Sequence, residues 1–314
     1  VVRHPKAVLV INFRYHVVSL TSVFLALTIG LVLGTAALNG PILNNLNDRV
    51  SSLSKSKDQL RDQVDELETA VDQHGDYTRQ LAPSLLRGEL ANRSVVLVSA
   101  FNPESDDREG VVNMLKAGGA RITGSLRIND RYLDPATDES LHDLASRRVP
   151  AGVQLPDTGE GAQTASVVLA AVLTKSSISS EDRTTTLQAF TELGVLTPEG
   201  KIDGPADSVV FLFGATPTQR DAGDKTKTAL TAVKSFSTVT PNIVAAAPSA
   251  GGGANPIAAI RGDGAAKAKV STADGLSRAE GQLITAMALI GKFEGNTGHY
   301  GTGAGATAQV PKLT

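Results

Sequence analysis

Three hydrophobic periodicities follow one another along the chain. From Val17 to Leu38 the sequence VVSLTSVFLALTIGLVLGTAAL runs twenty-two residues without a charge. As a helix it rises about 33 Å, enough to cross a hydrocarbon core of roughly 30 Å. Soluble helices of that length keep a polar face, so the run predicts a transmembrane helix over 17–38, with 1–16 as a short segment before it. A cleaved signal peptide competes, but its apolar region is nearer about 7–15 residues, and no A-x-A cleavage site follows. Within the run Ser22, Ala26, Gly30 and Gly34 recur every four residues. Such a small-residue stripe, with its G-x-x-x-G, lets two membrane helices approach closely.

The second pattern begins at Leu43, where apolar residues alternate at spacings of three and four. Leu43, Val50, Lys57, Val64 and Val71 take the a positions of a heptad, and Leu46, Leu53, Leu60 and Leu67 take d. β-Branched residues at a with leucine at d favour parallel dimers. The spacing therefore predicts a coiled-coil stalk over 41–75, ending where His74 meets Gly75. Lys57 lowers stability but restricts register. The flanking e and g positions carry few complementary charges, so the partner helix is either a second copy or a heterologous one. A single amphipathic helix folded onto its own domain is the simpler alternative.

After an expected linker over 76–92 the period changes again. SVVLVSA (94–100) is a continuous apolar run, as in a strand covered on both faces of a parallel sheet. Asn102-Pro103 reads as an N-cap with proline at the first helical position of a helix that ends at Gly118-Gly119. A strand over 121–128 follows. Helices are expected near 141–146, 166–173, 181–193, 219–236 and 278–293, with strands near 208–214, 243–247 and 257–261. Ser277 and Glu280 read as a capping box for the last helix. Residues 151–164 and 247–255 read as loops. The repeated βα units predict a Rossmann-like α/β domain over 93–297, followed by a Gly-rich tail over 298–314.

Charge orients this arrangement. Arg3, Lys6 and Arg14 precede the span, and the first acid after it is Asp48. The positive-inside rule then places the N-terminus in the cytoplasm and everything from Asn39 outward beyond the membrane. The opening valine reads as an unusual start codon or an over-extended start. With 30 Lys+Arg against 32 Asp+Glu, the formal charge of −2 offers no basic surplus for nucleic acid, which is excluded as a partner. With no cysteine, thiol nucleophiles, zinc knuckles and iron–sulfur clusters are excluded together, and redox chemistry would need an outside cofactor.

Catalytic signatures are also missing. There is no G-x-G-x-x-G after a strand, no P-loop, no nucleophile elbow and no H-E-x-x-H, so the chain reads as a non-enzyme. Asp106 and Asp107 read as first-turn acids answering a helix dipole. Gly251-Gly252-Gly253 reads as a flexible loop. The one unusual local sequence is Gly298-His299-Tyr300-Gly301-Thr302-Gly303, where glycines allow close backbone approach and His299 and Tyr300 bring a ligand nitrogen and a phenol. It is either a turn docked on the domain or a ligand or partner contact. No cofactor is certain.

The opening apolar run, the coil behind it and the terminal GHYGTG together resemble the MctB family of actinobacterial envelope proteins, from about Ile11 to the end. The resemblance implies copper efflux or homeostasis across the envelope. Copper then becomes a possible ligand and His299 the candidate metal residue. A single uncharged helix encloses no pore, so channel formation would require oligomers. The same resemblance covers SteB, a relative linked to cell separation, and so implies an alternative: a coiled-coil interaction protein that regulates a peptidoglycan hydrolase.

Overall fold

A computed structural model describes residues 13–39 and 41–312, and the side chains of 36–39 and 41–44 fall outside that description. Arg3 and Lys6, and the side chain of Leu43, therefore lie outside it. The chain divides into two compact units, Val1–Val71 and Asp72–Thr314.

In the first unit, helix α1 spans Phe13–Asn39. Its Phe13–Thr35 stretch, with a mean hydropathy of 2.3, is long and apolar enough to cross a membrane. The hydroxyls of Thr21, Ser22, Thr28 and Thr35 each donate to the carbonyl four residues back, at 2.8–2.9 Å, so these four hydroxyls are satisfied within the helix. Helix α2 spans Pro41–Leu86. It passes through Gly75 without ending there, which corrects the linker expected over 76–92. The reason is packing: Ala82 and Leu86 on α2, and Leu90 just after it, are buried in the core of the second unit. Such burial outweighs the cost of about 1 kcal/mol that glycine imposes in a helix.

In the second unit β1 (Ser94–Ala100), α3 (Ser105–Ala117) and β2 (Arg121–Ile128) come first. They are followed by α4 (Asp130–Leu133), a 3-10 turn at Pro135–Thr137, α5 (Asp138–Arg147), α6 (Gly161–Thr174) and α7 (Ser180–Glu192). Then come β3 (Leu196–Pro198), β4 (Ser208–Phe213), α8 (Ala222–Val239), β5 (Ile243–Ala247), α9 (Pro256–Gly262) and α10 (Gly264–Lys269). The chain finishes with β6 (Ser271–Asp274), α11 (Ala279–Phe293) and β7 (His299–Tyr300). The strands form one seven-stranded sheet in the order β3-β2-β1-β4-β5-β6-β7. Its pairs are parallel except β2 with β3.

Period-two alternation divides the strands between two cores. Val96 and Val98 of β1, Val209 and Phe211 of β4, and Ile243 and Ala245 of β5 face a core built with α5 to α10. Val95, Leu97, Val210, Leu212, Val244 and Ala246 face the opposite core, built with α3, α11 and the end of α2. Helices on both faces explain why these strands read as unbroken apolar runs.

Several local expectations change. Phe101 and Asn102 have φ of 56° and 47°, so the chain leaves β1 through a left-handed turn, and α3 starts at Ser105 instead of at Pro103. Residues 257–261 are not a strand but part of α9: the Asn255 side chain accepts from the Ala258 N–H at 3.0 Å with Pro256 at the first turn, and that capping decides an ambiguous apolar run for helix. The adjoining strand is β6, whose sequence STAD carries almost no apolar signal. The loop expected over 151–164 gives way to α6 at Gly161. The capping box at Ser277 does not form, because Ser277 donates instead to the buried Asp107 carboxylate at 3.0 Å. The tail expected from residue 298 begins as sheet, with Thr272 beside His299 and Ala273 beside Tyr300.

Candidate functional site

The sequence GHYGTG closes one edge of the sheet, and the residues that hold it come from α9 and β6. Asp274 ends β6, and Arg261 lies in the last turn of α9; their side chains are 5% and 2% exposed and pair at 2.9 Å. Arg261 uses its whole fork. Nε donates to Thr272 Oγ1 at 2.8 Å, and the two terminal nitrogens donate to the Ala304 and Tyr300 carbonyls at 3.0 and 2.7 Å. Asp274 accepts from the backbone N–H groups of Thr302 and Gly303 at 2.9 and 3.2 Å. Burial pulls the Arg261 guanidinium down from its ordinary value, and Asp274 opposes that. A buried ion pair holds only where its remaining hydrogen-bonding groups are also met, and here the turn at 300–304 meets them.

Gly301 is required by this arrangement. Its φ is 121°, and a Cβ there would collide with the Asp274 carboxylate. The glycine spacing of the motif thus reflects a backbone wrapped around a carboxylate.

His299 is 3% exposed. Its Nδ1 lies 3.0 Å from Thr272 Oγ1 and its Nε2 lies 3.2 Å from the Lys267 carbonyl. A carbonyl can only accept, so Nε2 carries the proton; Thr272, already accepting from Arg261, donates its own hydrogen to Nδ1. Burial pushes the His299 pKa below its ordinary value, the Lys267 carbonyl works against this, and the Arg261 and Lys267 charges add to it. The ring is therefore neutral with both nitrogens engaged, and it could meet a metal only by giving up one of these bonds. Tyr300 is partly buried, and burial raises its phenol pKa. Beside the motif the Lys292 ammonium donates to the Lys269 carbonyl at 2.8 Å and to Thr297 Oγ1 at 2.9 Å, with its pKa lowered by burial.

The other residues singled out from sequence are spread along the helices. Ser22, Ala26, Gly30 and Gly34 lie on α1, and among the described residues nothing beyond their own helix backbone lies within 4 Å of where a side chain on Gly30 or Gly34 would begin. Leu46, Val50, Leu53, Leu60, Val64, Leu67 and Val71 lie on α2, all exposed. Lys57 is exposed among them. Met114 and Met287 are buried in the core that faces α3 and α11. Asp107 is more than a first-turn acid: it is 4% exposed, and desolvation raises its pKa against the opposing hydrogen bond from Ser277. Among the described residues no group of three or more His, Cys, Asp or Glu side chains could hold a metal ion. The open cleft of about 700 Å³ between the 152–156 loop, α6 and α8 is lined by Lys175, Lys234 and Glu160.

Sequence reading singled out the motif but missed Arg261, Thr272 and Asp274. Their only local trace is an acid at the end of a weak strand and an arginine in a short helix, patterns shared by many positions.

Comparison with known proteins adds what the geometry does not. A family model described as "Copper transport outer membrane protein, MctB" matches residues 10–311. Proteins named "Copper transporter MctB" from Mycobacterium tuberculosis and Mycobacterium bovis are 27% identical over 311 residues, covering 94% of this chain and 98% of theirs. One from Mycobacterium leprae is 26% identical over 315 residues, covering 95% and 98%.

Proposed function

The chain belongs to the MctB family of copper transport proteins, and from that premise we propose that it is a membrane-tethered envelope protein that lowers cellular copper. The observation that carries this reading is a family match spanning both units, 10–311, on a chain whose α1 is long and apolar enough to cross a membrane.

In this reading α1 is the anchor. The basic residues before it stay in the cytoplasm, and the unit from Asp72 onward lies outside. Its sheet supports that role: it is open, with β3 and β7 at its edges and helices on both faces, as in a water-soluble α/β unit and unlike a closed membrane barrel. Copper is cargo here. Copper(I) favours thiolate and thioether, and this chain has no cysteine and two methionines, so its part is read as assembly and support of a transport route. The named relatives are transporters, and the engaged, neutral His299 and fully bonded Arg261–Asp274 pair offer no catalytic group; they hold the C-terminal turn in place.

The test is cellular copper content. Cells lacking the protein, grown in added copper, should accumulate more of it and grow less well, and the full chain should restore both. Copper content that does not change on deletion would reject the reading.

A further inference from the structure

Arg183, on α7, is a buried cation without a counter-ion. It is 4% exposed. Its Nη2 donates to the Lys175 and Ile178 carbonyls, each at 3.3 Å, whereas Nη1 is buried and meets no acceptor among the described residues. No acid among the described residues pairs with it. Asp182 beside it on α7 accepts from the Ser179 hydroxyl at 2.8 Å instead. Burial alone pulls the guanidinium pKa down from its ordinary value. A buried charge left unmet is costly, so buried charges are normally paired.

The same side chain lines an open cleft of about 420 Å³ between α7 and the segment that follows β3. Leu187, Pro198 and Ile202 supply apolar wall, and no acid lines the cleft. Its other polar groups are already occupied. The Thr184 and Thr191 hydroxyls donate to the Ser180 and Leu187 carbonyls at 2.8 Å, Gln188 Nε2 donates to Glu192 at 2.8 Å, and Lys201 pairs with Asp203 at 2.8 Å. The unmet positive charge therefore belongs to Arg183.

We propose that this cleft binds an aliphatic carboxylic acid of medium chain length, its carboxylate against the Arg183 guanidinium and its tail along Leu187, Pro198 and Ile202. Charge selects a monoanion. One terminal nitrogen lacks an acceptor while the other is committed to two carbonyls, so one carboxylate meets what is unmet, whereas a phosphate dianion would bring a second charge against apolar walls. Size selects a single short tail, because the cleft lies at the low end of the range of roughly 300–1,000 Å³ usual for small-ligand sites.

The test is photolabelling of the full chain in membranes with a decanoate analogue that carries a diazirine on its tail, the labelled peptides being mapped by mass spectrometry. Label should fall within 184–202 and be displaced by excess decanoate but not by 1-decanol. Arg183→Gln removes the cation and should abolish this label. Thr184→Glu, at an exposed position of the lining, keeps Arg183 and its carbonyl bonds, and should weaken labelling by about tenfold or more, because a carboxylate already in place disfavours a second anion. An unchanged unfolding temperature in Thr184→Glu establishes that its fold is intact. Label confined to α1 would mark partition into the membrane and overturn the proposal. So would equal displacement by 1-decanol, stronger displacement by decyl phosphate, or labelling undiminished in Thr184→Glu. These outcomes leave the copper reading untouched, because that rests on cellular copper content.

Discussion

Arg261 and Asp274 form a buried ion pair in the α/β unit, each side chain almost wholly out of water and each meeting the other's charge. Arg261→Met leaves an unpaired buried carboxylate and should cost about 3–5 kcal/mol in urea unfolding. Adding Asp274→Asn removes that charge, so the double variant should be less destabilised than the sum of the single variants. His299 supplies a pH signature. Its folded pKa lies below its ordinary value of 6.5, so as pH falls through about 6.5 the unfolded chain takes up a proton that the folded chain refuses. Unfolded chain then binds more protons, and stability falls with falling pH. Urea midpoints measured between pH 7.5 and 5.5 should fall more steeply for the wild type than for His299→Gln, which lacks the titrating ring.

Among the elements, α2 combines two environments in one helix. Ala82 and Leu86 are sunk in a core, whereas Leu53 and Leu60 are 72% and 61% exposed. Substitutions along it should therefore separate cleanly. Leu53→Glu with Leu60→Glu should leave the unfolding temperature of the α/β unit unchanged, because both side chains are exposed. Leu86→Ala should lower it, costing about 2–5 kcal/mol of stability through the cavity it opens. The strands show a similar contrast. β1, β4 and β5 announce themselves because both of their faces are covered by apolar packing, so nearly every residue is apolar; β6, equally buried but written STAD, and β7 at the sheet edge are carried by backbone pairing and by the Arg261 fork.

For the molecule as a whole, the anchored reading makes a topological prediction. With α1 crossing the membrane and positive charge before it, protease added to intact cells, once it reaches the membrane surface, should digest the α/β unit and spare an epitope placed before Phe13. Survival of the α/β unit under conditions that digest a known external protein would reverse the orientation.

What local order could reveal, it revealed. An uncharged run of membrane length, a three–four apolar repeat and apolar runs fully buried on both faces are patterns in which neighbouring residues share one environment, so α1, most of α2 and strands β1, β4 and β5 could be read from the chain. Contacts between distant residues decided the rest. Gly75 stays helical because Ala82 and Leu86 are buried, 257–261 is helix because Asn255 caps it, and GHYGTG is a clasp because Arg261 and Asp274, 28 to 39 residues away in sequence from the groups they bond, reach its backbone. No periodicity encodes such a meeting: it exists only once helices and strands have brought those side chains together, out of water, where an unpaired charge would be too costly to keep.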